Sequence, residues 1–335
     1  MLALGKLLEL TLAGREPSEK IQVCASGARL QWKVEGVLAV DPPAGRDRGV
    51  DLLLSAGIHG DETAPVELLE RLLHDIAACR LVPALRLLLV LGNPAALRRG
   101  ERYVEYDLNR LFGGRDPSAS GADALRAVEL ELQAEQFFAQ AGRRRRHYDL
   151  HAATRASLLG PFALRPPSAR SLSRDQLADL QAAGLQALVL HGEPSATFSA
   201  FTSESCAAEA FAFELGQARP LGQNAAVDLG RTEAWLRALI EGCEPAAVGD
   251  PAALQLFRSA RQLIKHSDAF RLYLDEAVAN FTALPPGSLL AEDAEGRRWL
   301  VEEADARIVF ANPRVAVGQR AGLIVVPVAL AAVCA

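Results

Sequence analysis

Two of the six histidines in this 335-residue chain stand near a glutamate in a pattern that could hold a metal ion. His59 lies three residues before Glu62 in the stretch GIHGDETAP, and His151 lies in the stretch DLHAATR. Two imidazoles and one carboxylate, with a fourth position left for water, are a known ligand set of catalytic zinc. The three residues together therefore predict a zinc site. For His59 alone, a hydrogen-bonded loop histidine is an alternative, because H-x-x-E pairs occur by chance in many proteins.

Glu214 is the candidate for the general base of such a site, since a zinc-activated water needs a group that takes its proton. It stands in the stretch FELGQARP, after a run composed mainly of Ala and Phe. A carboxylate that emerges from apolar neighbours loses solvation, which raises its pKa. The alternative is a structural glutamate that pairs with Arg219.

The stretch ERYVEYDLNRLFGG, residues 101–114, carries the richest set of polar side chains. Arg102, Asn109 and Arg110 could hold substrate carboxylates and polarise a carbonyl group. The planar fork of arginine suits bidentate carboxylate binding, and the asparagine amide can donate a further hydrogen bond. Taken by itself, an Asn-Arg pair after a loop is also compatible with a turn that carries a surface charge.

Charge and cysteine content exclude several classes of partner and site. The net charge of −5 and the pI near 5.8 provide no electrostatic basis for nucleic-acid binding. The one basic run, RRRR at 143–146, is interpreted as a solvated helix end or loop, with an arginine at the entry path of an anionic substrate as the alternative. Five scattered cysteines without C-x-x-C spacing argue against a disulfide framework and against a cysteine zinc site, and they favour a reducing compartment.

Neither terminal stretch has the pattern of a targeting or membrane segment. The N-terminal MLALGKLLELTLAG lacks a basic start and a cleavage site, and the C-terminal AGLIVVPVALAAVCA is too short to span a bilayer comfortably. We interpret the C-terminal stretch as a closing β-strand. We expect a cytoplasmic protein without a membrane partner.

Strand and helix patterns alternate through the first part of the chain. Apolar runs typical of buried strands are followed by amphipathic stretches with helical spacing, which predicts an α/β fold with a mostly parallel sheet flanked by helices. The predicted strands cover 50–57, 85–94, 147–152, 187–192 and 210–216, and the predicted helices cover 64–79, 122–142 and 225–243. Ligands of open α/β sheets bind at the carboxyl ends of the strands. His59, His151 and Glu214 follow or close such strands, so we expect them to meet on one rim of the sheet.

The pattern changes after EPAAVGDP at 244–251. Short strand-like runs separated by Gly, Pro, Asn and Asp follow, which predicts a smaller β-rich domain. We therefore predict a catalytic domain of residues 1–245 and a β-rich C-terminal domain of residues 246–335.

The other ionisable residues near the predicted site receive structural interpretations. His74, His147, His191 and His266 are interpreted as structural or surface residues. Asp149, two residues before His151, is expected to point to the opposite face of the sheet, where its backbone neighbours could still orient the imidazole ring.

Five stretches in this order, GIHGDETAP, GNP, ERYVEYDLNRLF, DLHAATR and FELGQARPLGQN, resemble the family of succinylglutamate desuccinylases and aspartoacylases, which is related to the zinc carboxypeptidases. The resemblance runs from about residue 50 to residue 225 and implies a zinc-carboxypeptidase-like catalytic domain. It also implies a role for each candidate residue: His59, Glu62 and His151 would bind one Zn²⁺ per chain, Glu214 would act as general base and proton shuttle, Arg102 would polarise the scissile carbonyl, and Asn109 with Arg110 would grip a substrate carboxylate.

Within this family, ERYVEYDLNRLF and LGQARPLGQN look more like the desuccinylases than the aspartoacylases. The implied reaction is the hydrolysis of N2-succinylglutamate to succinate and glutamate, the last step of arginine catabolism through succinylated intermediates. The β-rich domain is expected to narrow the pocket and to exclude long peptides. A homo-oligomer is compatible with the sequence.

Two departures from the aspartoacylase pattern keep alternatives open. The stretch TSESCAAEAFAFE contains no arginine where aspartoacylases carry a substrate-binding one, so the second substrate carboxylate has no assigned partner. The C-terminal tyrosine that lines the aspartoacylase site has no assigned counterpart either. The alternatives are an amidohydrolase that acts on another small acidic N-acyl amino acid, and a non-catalytic binding protein on the same fold.

Overall fold

A computed structural model of the chain describes residues 3–115, 118–168, 170–243 and 249–334. The strands in these ranges are Ile21–Val23 (β1), Arg29–Val34 (β2), Val37–Asp41 (β3), Val50–Ala56 (β4), Arg86–Leu91 (β5), Arg144–Ala153 (β6), Phe162–Arg165 (β7), Ala187–Leu190 (β8), Glu209–Gln217 (β9), Gln255–Ile264 (β10), Arg271–Leu272 (β11), Thr282–Ala283 (β12), Leu289–Glu292 (β13), Arg298–Leu300 (β14), Arg307–Val309 (β15) and Arg320–Pro327 (β16). The α-helices are Leu7–Leu12 (α1), Thr63–Ala77 (α2), Pro94–Arg99 (α3), Ala122–Phe138 (α4), Arg174–Ala182 (α5), Phe198–Ser205 (α6) and Gly230–Glu241 (α7).

One large sheet runs through the described part of the chain, in the strand order β1-β2-β3-β5-β4-β6-β9-β7-β8-β10-β16-β15-β12. Strands β5, β4, β6 and β9 lie side by side and are parallel, and β8 is parallel to both β7 and β10. Strands β1, β2 and β3 extend one edge in antiparallel fashion. The predicted α/β fold with a mostly parallel central sheet is therefore confirmed.

The central strands are covered on both faces because their side chains alternate between two apolar clusters. In β4, Leu52 and Leu54 belong to one buried cluster, which also contains the apolar face of α2. Leu53 belongs to another, which contains residues of α4 and α6. Side chains of successive strand residues point to opposite faces, so a strand buried on both faces must be apolar at every position. This requirement explains the uninterrupted apolar runs in the sequence.

The C-terminal part is rich in strands, as predicted. Strand β10 pairs with β8 of the preceding part, and β16, β15 and β12 follow in antiparallel order. A separate three-stranded sheet has the order β11-β13-β14. The predicted boundary at 245/246 lies outside the described residues, and the division into two domains stays a prediction.

The basic run 143–146 lies at the amino end of β6, and its arginines bind acceptors of the protein. Arg143 pairs with Asp47 at 2.8 Å, and Arg144 pairs with Glu209 at 3.1 Å. Arg145 donates to the Cys206 carbonyl oxygen. His151 lies at the other end of the strand, five residues and about 17 Å beyond Arg146. Three of the four arginines, 144–146, are therefore part of a strand and not of a helix end or loop, and the run does not border the predicted site.

No helix among the described residues is both long and apolar enough to cross a membrane.

Candidate active site

The loop that carries His59 depends on two glycines. Gly57, directly after β4, has a φ of +65°, a backbone conformation that residues with a side chain rarely adopt. A Cβ atom on Gly60 would lie 2.2 Å from the backbone carbon of Ala96 in α3, so only glycine fits there. Ile58, between the two glycines, is fully buried. The loop is thus anchored in the core, and His59 is directed toward the carboxyl edge of the sheet.

His59, Glu62 and His151 form one buried group. The Nδ1 atom of His59 lies 2.8 Å from Glu62 Oε1, and the Nδ1 atom of His151 lies 2.9 Å from Glu62 Oε2. One potential ligand atom from each residue lies within 4.8 Å of the others. Each residue is at most 4% exposed. Two neutral nitrogens and one carboxylate oxygen that converge from three segments form a donor set that fits a zinc ion.

Each histidine of the group contacts a second carboxylate through its other ring nitrogen. Asp107 Oδ1 lies 3.0 Å from His59 Nε2, and Asp149 Oδ2 lies 3.0 Å from His151 Nε2. An Nε2–H that donates to a carboxylate fixes the ring and leaves Nδ1 free as a metal ligand. Both aspartates therefore orient the imidazoles toward Glu62.

The contact of Asp149 corrects the expectation that this side chain points away from His151. Residues two apart in a strand lie on the same face, because side chains alternate with a period of two. Asp149 is fully buried and also accepts a hydrogen bond from the Ser55 hydroxyl at 2.6 Å. It acts on the His151 ring through its own side chain.

The charges of these groups shift one another's pKa. Burial opposes the charged form of His59, but the carboxylates of Glu62 and Asp107 outweigh it and raise the His59 pKa. Burial also opposes the charged form of His151, but the carboxylates of Asp149 and Glu62 outweigh it and hold the His151 pKa well above its usual value. Burial alone would raise the pKa of Glu62, yet the two imidazoles hold it well below its usual range. The group thus favours ionised carboxylates next to positive charge.

One polar turn places Asp107, Asn109 and Arg110 at the site. Asp107 precedes the short 3₁₀ helix Leu108–Arg110 and accepts a hydrogen bond from the backbone N–H of Asn109 at 3.0 Å. The Asn109 amide nitrogen lies 3.3 Å from His151 Nε2, and its oxygen accepts from the Phe198 N–H. Arg110 donates to the Asn109 carbonyl oxygen and lines a cavity of about 490 Å³.

Arg102 contacts the carboxylates of the group directly. Its Nη1 atom donates to Glu62 Oε1 at 2.9 Å, and its Nη2 atom lies 3.9 Å from Asp107 Oδ2. About a third of the side chain is exposed, at 35%. The guanidinium therefore lies between the metal group and solvent.

Glu214 lies in β9 opposite His151 of β6 in the register of the two parallel strands. Burial, together with the charge of Glu62, raises the Glu214 pKa to about 7, although the His151 charge acts in the other direction. Glu214 lines a cavity of about 560 Å³ with Arg155, Gln217 and Arg219. It forms no ion pair with Arg219 within 4.0 Å, which removes the structural alternative for this residue.

One of the remaining histidines, His147, is linked to the group through Ser55, which also contacts Asp149. It is fully buried, with Nε2 2.8 Å from Ser55 Oγ and Nδ1 2.7 Å from Thr202 Oγ1. Because the Ser55 hydroxyl donates to Asp149, its oxygen accepts from His147 Nε2–H. Burial lowers the His147 pKa to about 4. His147 is thus a neutral core histidine, in agreement with its structural interpretation.

Asp107 is the site residue that the sequence interpretation did not single out. It stands two residues before Asn109 in the same polar turn, and its buried carboxylate has a pKa held below its usual range, because His59, Arg110 and Arg102 outweigh the effect of burial. An acidic residue next to the predicted substrate-binding pair was the available signal. What it contacts is set by the fold of the turn and not by local sequence.

Comparisons with known proteins connect this site and fold to one group of hydrolases. The succinylglutamate desuccinylase/aspartoacylase catalytic domain matches residues 48–240, and the AstE/AspA barrel-sandwich hybrid domain matches residues 252–328. A succinylglutamate desuccinylase of Pseudomonas aeruginosa (strain UCBPP-PA14) is 58% identical over 332 residues, which cover 98% of this chain and 100% of that protein.

Two solved structures of succinylglutamate desuccinylases are similar over nearly the full chain. The protein from Vibrio parahaemolyticus has a TM-score of 0.87 at 31% identity and covers 96% of this chain and 95% of its own. The protein from Chromobacterium violaceum has a TM-score of 0.82 at 39% identity and covers 97% of this chain and 98% of its own.

Proposed function

This chain belongs to the succinylglutamate desuccinylase/aspartoacylase family, and we propose that it hydrolyses N2-succinylglutamate to succinate and glutamate. The observation that carries the proposal is the 58% identity to a succinylglutamate desuccinylase over 98% of the chain. The presence of Glu214 beside the His59, Glu62 and His151 group supports catalysis over a mere binding role. The reaction would be the last step of arginine catabolism through succinylated intermediates.

We further propose that His59, Glu62 and His151 bind one Zn²⁺ per chain. The support is the donor set itself, three buried residues whose potential ligand atoms lie within 4.8 Å of one another. When bound there, zinc would polarise the scissile carbonyl and lower the pKa of the attacking water from about 15.7 to about 7.

Glu214 is the proposed general base and proton shuttle. Its carboxylate accepts a proton from the water whose oxygen attacks the succinyl amide carbon. The protonated carboxyl then donates that proton to the amide nitrogen as the C–N bond breaks, which releases succinate and the free amine of glutamate. A pKa near 7 suits a group that must both take and return a proton at neutral pH.

Arg102, Asn109 and Arg110 are the proposed substrate contacts. The Arg102 guanidinium would stabilise the negative charge that develops on the carbonyl oxygen during water attack. Asn109 and Arg110 would bind a substrate carboxylate at the cavity that Arg110 lines. Because the substrate carries three carboxylates, cationic groups in its pocket contribute to both affinity and specificity.

Three further expectations stay predictions: the cytoplasmic location, the division at 245/246, and the exclusion of long peptides by the C-terminal part. The last is supported by Gln262, Ile264 and Gln319, which line the cavity of Arg110.

A substrate panel tests the proposed function. Zinc-loaded enzyme is incubated with N2-succinylglutamate and, separately, with N-acetylaspartate, and the products are quantified. We expect succinate and glutamate in equal amounts, and a kcat/KM at least about 100-fold above that for N-acetylaspartate. The reason is that the acetyl group has no carboxylate, so a cation that pairs with the succinyl carboxylate would be left unpaired. Equal or faster turnover of N-acetylaspartate would refute the assignment.

A further inference from the structure

Arg110 and Arg320 line the same cavity of about 490 Å³. Arg110 comes from the polar turn next to the metal group, whereas Arg320 is the first residue of β16 in the C-terminal part. Ser195, Thr197 and Ser199 also line this cavity. A cavity of this size takes a small molecule. The C-terminal part therefore contributes a cation to a cavity that Arg110 of the candidate active site also lines.

The protein holds the Arg320 guanidinium in a defined orientation. Its Nη1 atom donates to His191 Nε2 at 3.1 Å, and the Nδ1–H of His191 donates to the Glu193 carbonyl oxygen at 2.8 Å. His191 must be neutral to accept at Nε2, and burial together with the Arg320 charge lowers its pKa. The guanidinium carbon also lies 5.7 Å from the centre of the Phe310 ring. These contacts orient the cation without neutralising it.

Arg320 has no counter-ion among the described residues, since no carboxylate there lies within 4.0 Å of its guanidinium. The nearby Glu193 carboxylate accepts a hydrogen bond from Gln262 instead. Burial and the charge of Arg110 lower the Arg320 pKa to about 10, so the group remains charged at neutral pH. A half-buried cation that faces a second cation across one cavity is stabilised by an anionic ligand.

We propose that Arg320 is a specificity-determining residue that binds one of the three carboxylates of the substrate, in the cavity that it shares with Arg110. The inference rests on the proposed desuccinylase function and extends it by a group from the C-terminal part. His191 is a positioning residue that acts through Arg320. The planar fork of arginine would bind the carboxylate through two parallel hydrogen bonds.

The test compares the zinc-loaded wild type with Arg320→Met and Arg320→Lys on four substrates. These are N2-succinylglutamate and three analogues that each lack one carboxylate: N-succinylglutamine, N-succinyl-γ-aminobutyrate and N-butanoylglutamate. Arg314→Met is the matched control, because Arg314 is an exposed arginine of the same region that pairs with Glu276. Melting temperature and zinc content establish that each variant is folded and loaded.

For Arg320→Met we expect kcat/KM on N2-succinylglutamate to fall about 10- to 100-fold, with most of the change in KM, since a charge-assisted hydrogen bond is lost. Arg320→Lys should retain part of the activity. For one analogue, wild type and Arg320→Met should have the same kcat/KM, and the carboxylate that this analogue lacks is the one that Arg320 binds. Arg314→Met should behave as wild type on all four substrates.

An unchanged kcat/KM in both Arg320 variants, or the same loss on all four substrates, would overturn the proposal. Absence of wild-type turnover on N2-succinylglutamate would instead refute the proposed function. In that case, calorimetric titration of wild type and Arg320→Met with N2-succinylglutamate still decides on Arg320, since equal affinity would exclude its role.

Discussion

His151 and Glu214 occupy paired positions in the neighbouring parallel strands β6 and β9. Strand β4, which leads into the loop of His59 and Glu62, lies on the other side of β6. The carboxyl ends of three adjacent strands thus supply the candidate metal ligands and the candidate base. Adjacent strands are about 4.8 Å apart, so the base lies within reach of a water molecule at the metal group.

The raised pKa of Glu214 predicts an acid limb in the rate profile. The base must be deprotonated, so kcat/KM should fall as the pH is lowered through about 7, with the positive charge of bound zinc moving the midpoint downward. The measurement is kcat/KM between pH 5 and 9, with zinc content determined at each pH. A rate that increases from pH 7 to pH 5 would contradict this role.

The candidate ligands can be tested independently of turnover. We predict that His59→Ala and His151→Ala each abolish stoichiometric zinc binding, because a site with one imidazole and one carboxylate retains too few ligands. His74→Ala, on helix α2 and outside the group, serves as the control. Elemental analysis gives the zinc content. Full zinc occupancy in either site variant would exclude that residue as a ligand.

Zinc should also stabilise the folded chain, because it binds the folded state and not the unfolded one. At a free zinc concentration of 100 times Kd, we predict a gain of about 2.7 kcal/mol in the free energy of unfolding. Thermal unfolding before and after treatment with a chelator measures this effect. An identical melting temperature in both states would show that the metal does not bind the folded site.

Asp107 and Asp149 are predicted to tune the metal site through the histidines. Asp107→Asn and Asp149→Asn weaken the acceptor at Nε2 of His59 and His151, so we expect zinc affinity to fall about 10- to 100-fold. Asp175→Asn, at an exposed position of α5, is the control. Competition with a chromophoric zinc chelator provides the affinities. Unchanged affinity in both variants would mean that the aspartates do not support the ligands.

Much of this site could be predicted from the sequence because its signals are local. The apolar runs of β4, β6 and β9 mark buried parallel strands, and reactive side chains at their ends must meet on one rim. By contrast, the position of Arg320 in the cavity that Arg110 lines depends on the pairing of β16 with β10 in the sheet. No local pattern near Arg320 carries that information.

The elements that were not predicted from the sequence are short or lack a clear periodicity of apolar residues. Strand β7 has four residues, and helix α6, FSAFTSES, has no charged face to contrast with its apolar one. Strand β10, QLFRSARQLI, mixes buried and half-exposed positions and contains register shifts, which disrupt the alternation expected of a strand. Tertiary pairing rather than local propensity forms these elements.

His147 predicts how the stability of the fold depends on pH. Its folded-state pKa of about 4 lies below the ordinary histidine value of 6.5, so the unfolded chain binds more protons between these values. Stability is therefore retained above pH 6.5 and is lost as the pH falls toward 4, by about 3 kcal/mol at most. His147→Gln should flatten this decline in urea unfolding at each pH, whereas His74→Gln should not. Parallel curves for wild type and His147→Gln would contradict the prediction.

The most direct measurement is desuccinylation of N2-succinylglutamate by zinc-loaded wild type and Glu214→Gln, with zinc content determined in both. We predict full zinc occupancy in the variant and a kcat lower by about 10²- to 10⁴-fold, because the amide keeps the shape of the side chain but cannot take a proton. Glu209→Gln, at the other end of β9, should remain active. Wild-type activity in Glu214→Gln would exclude Glu214 as the general base.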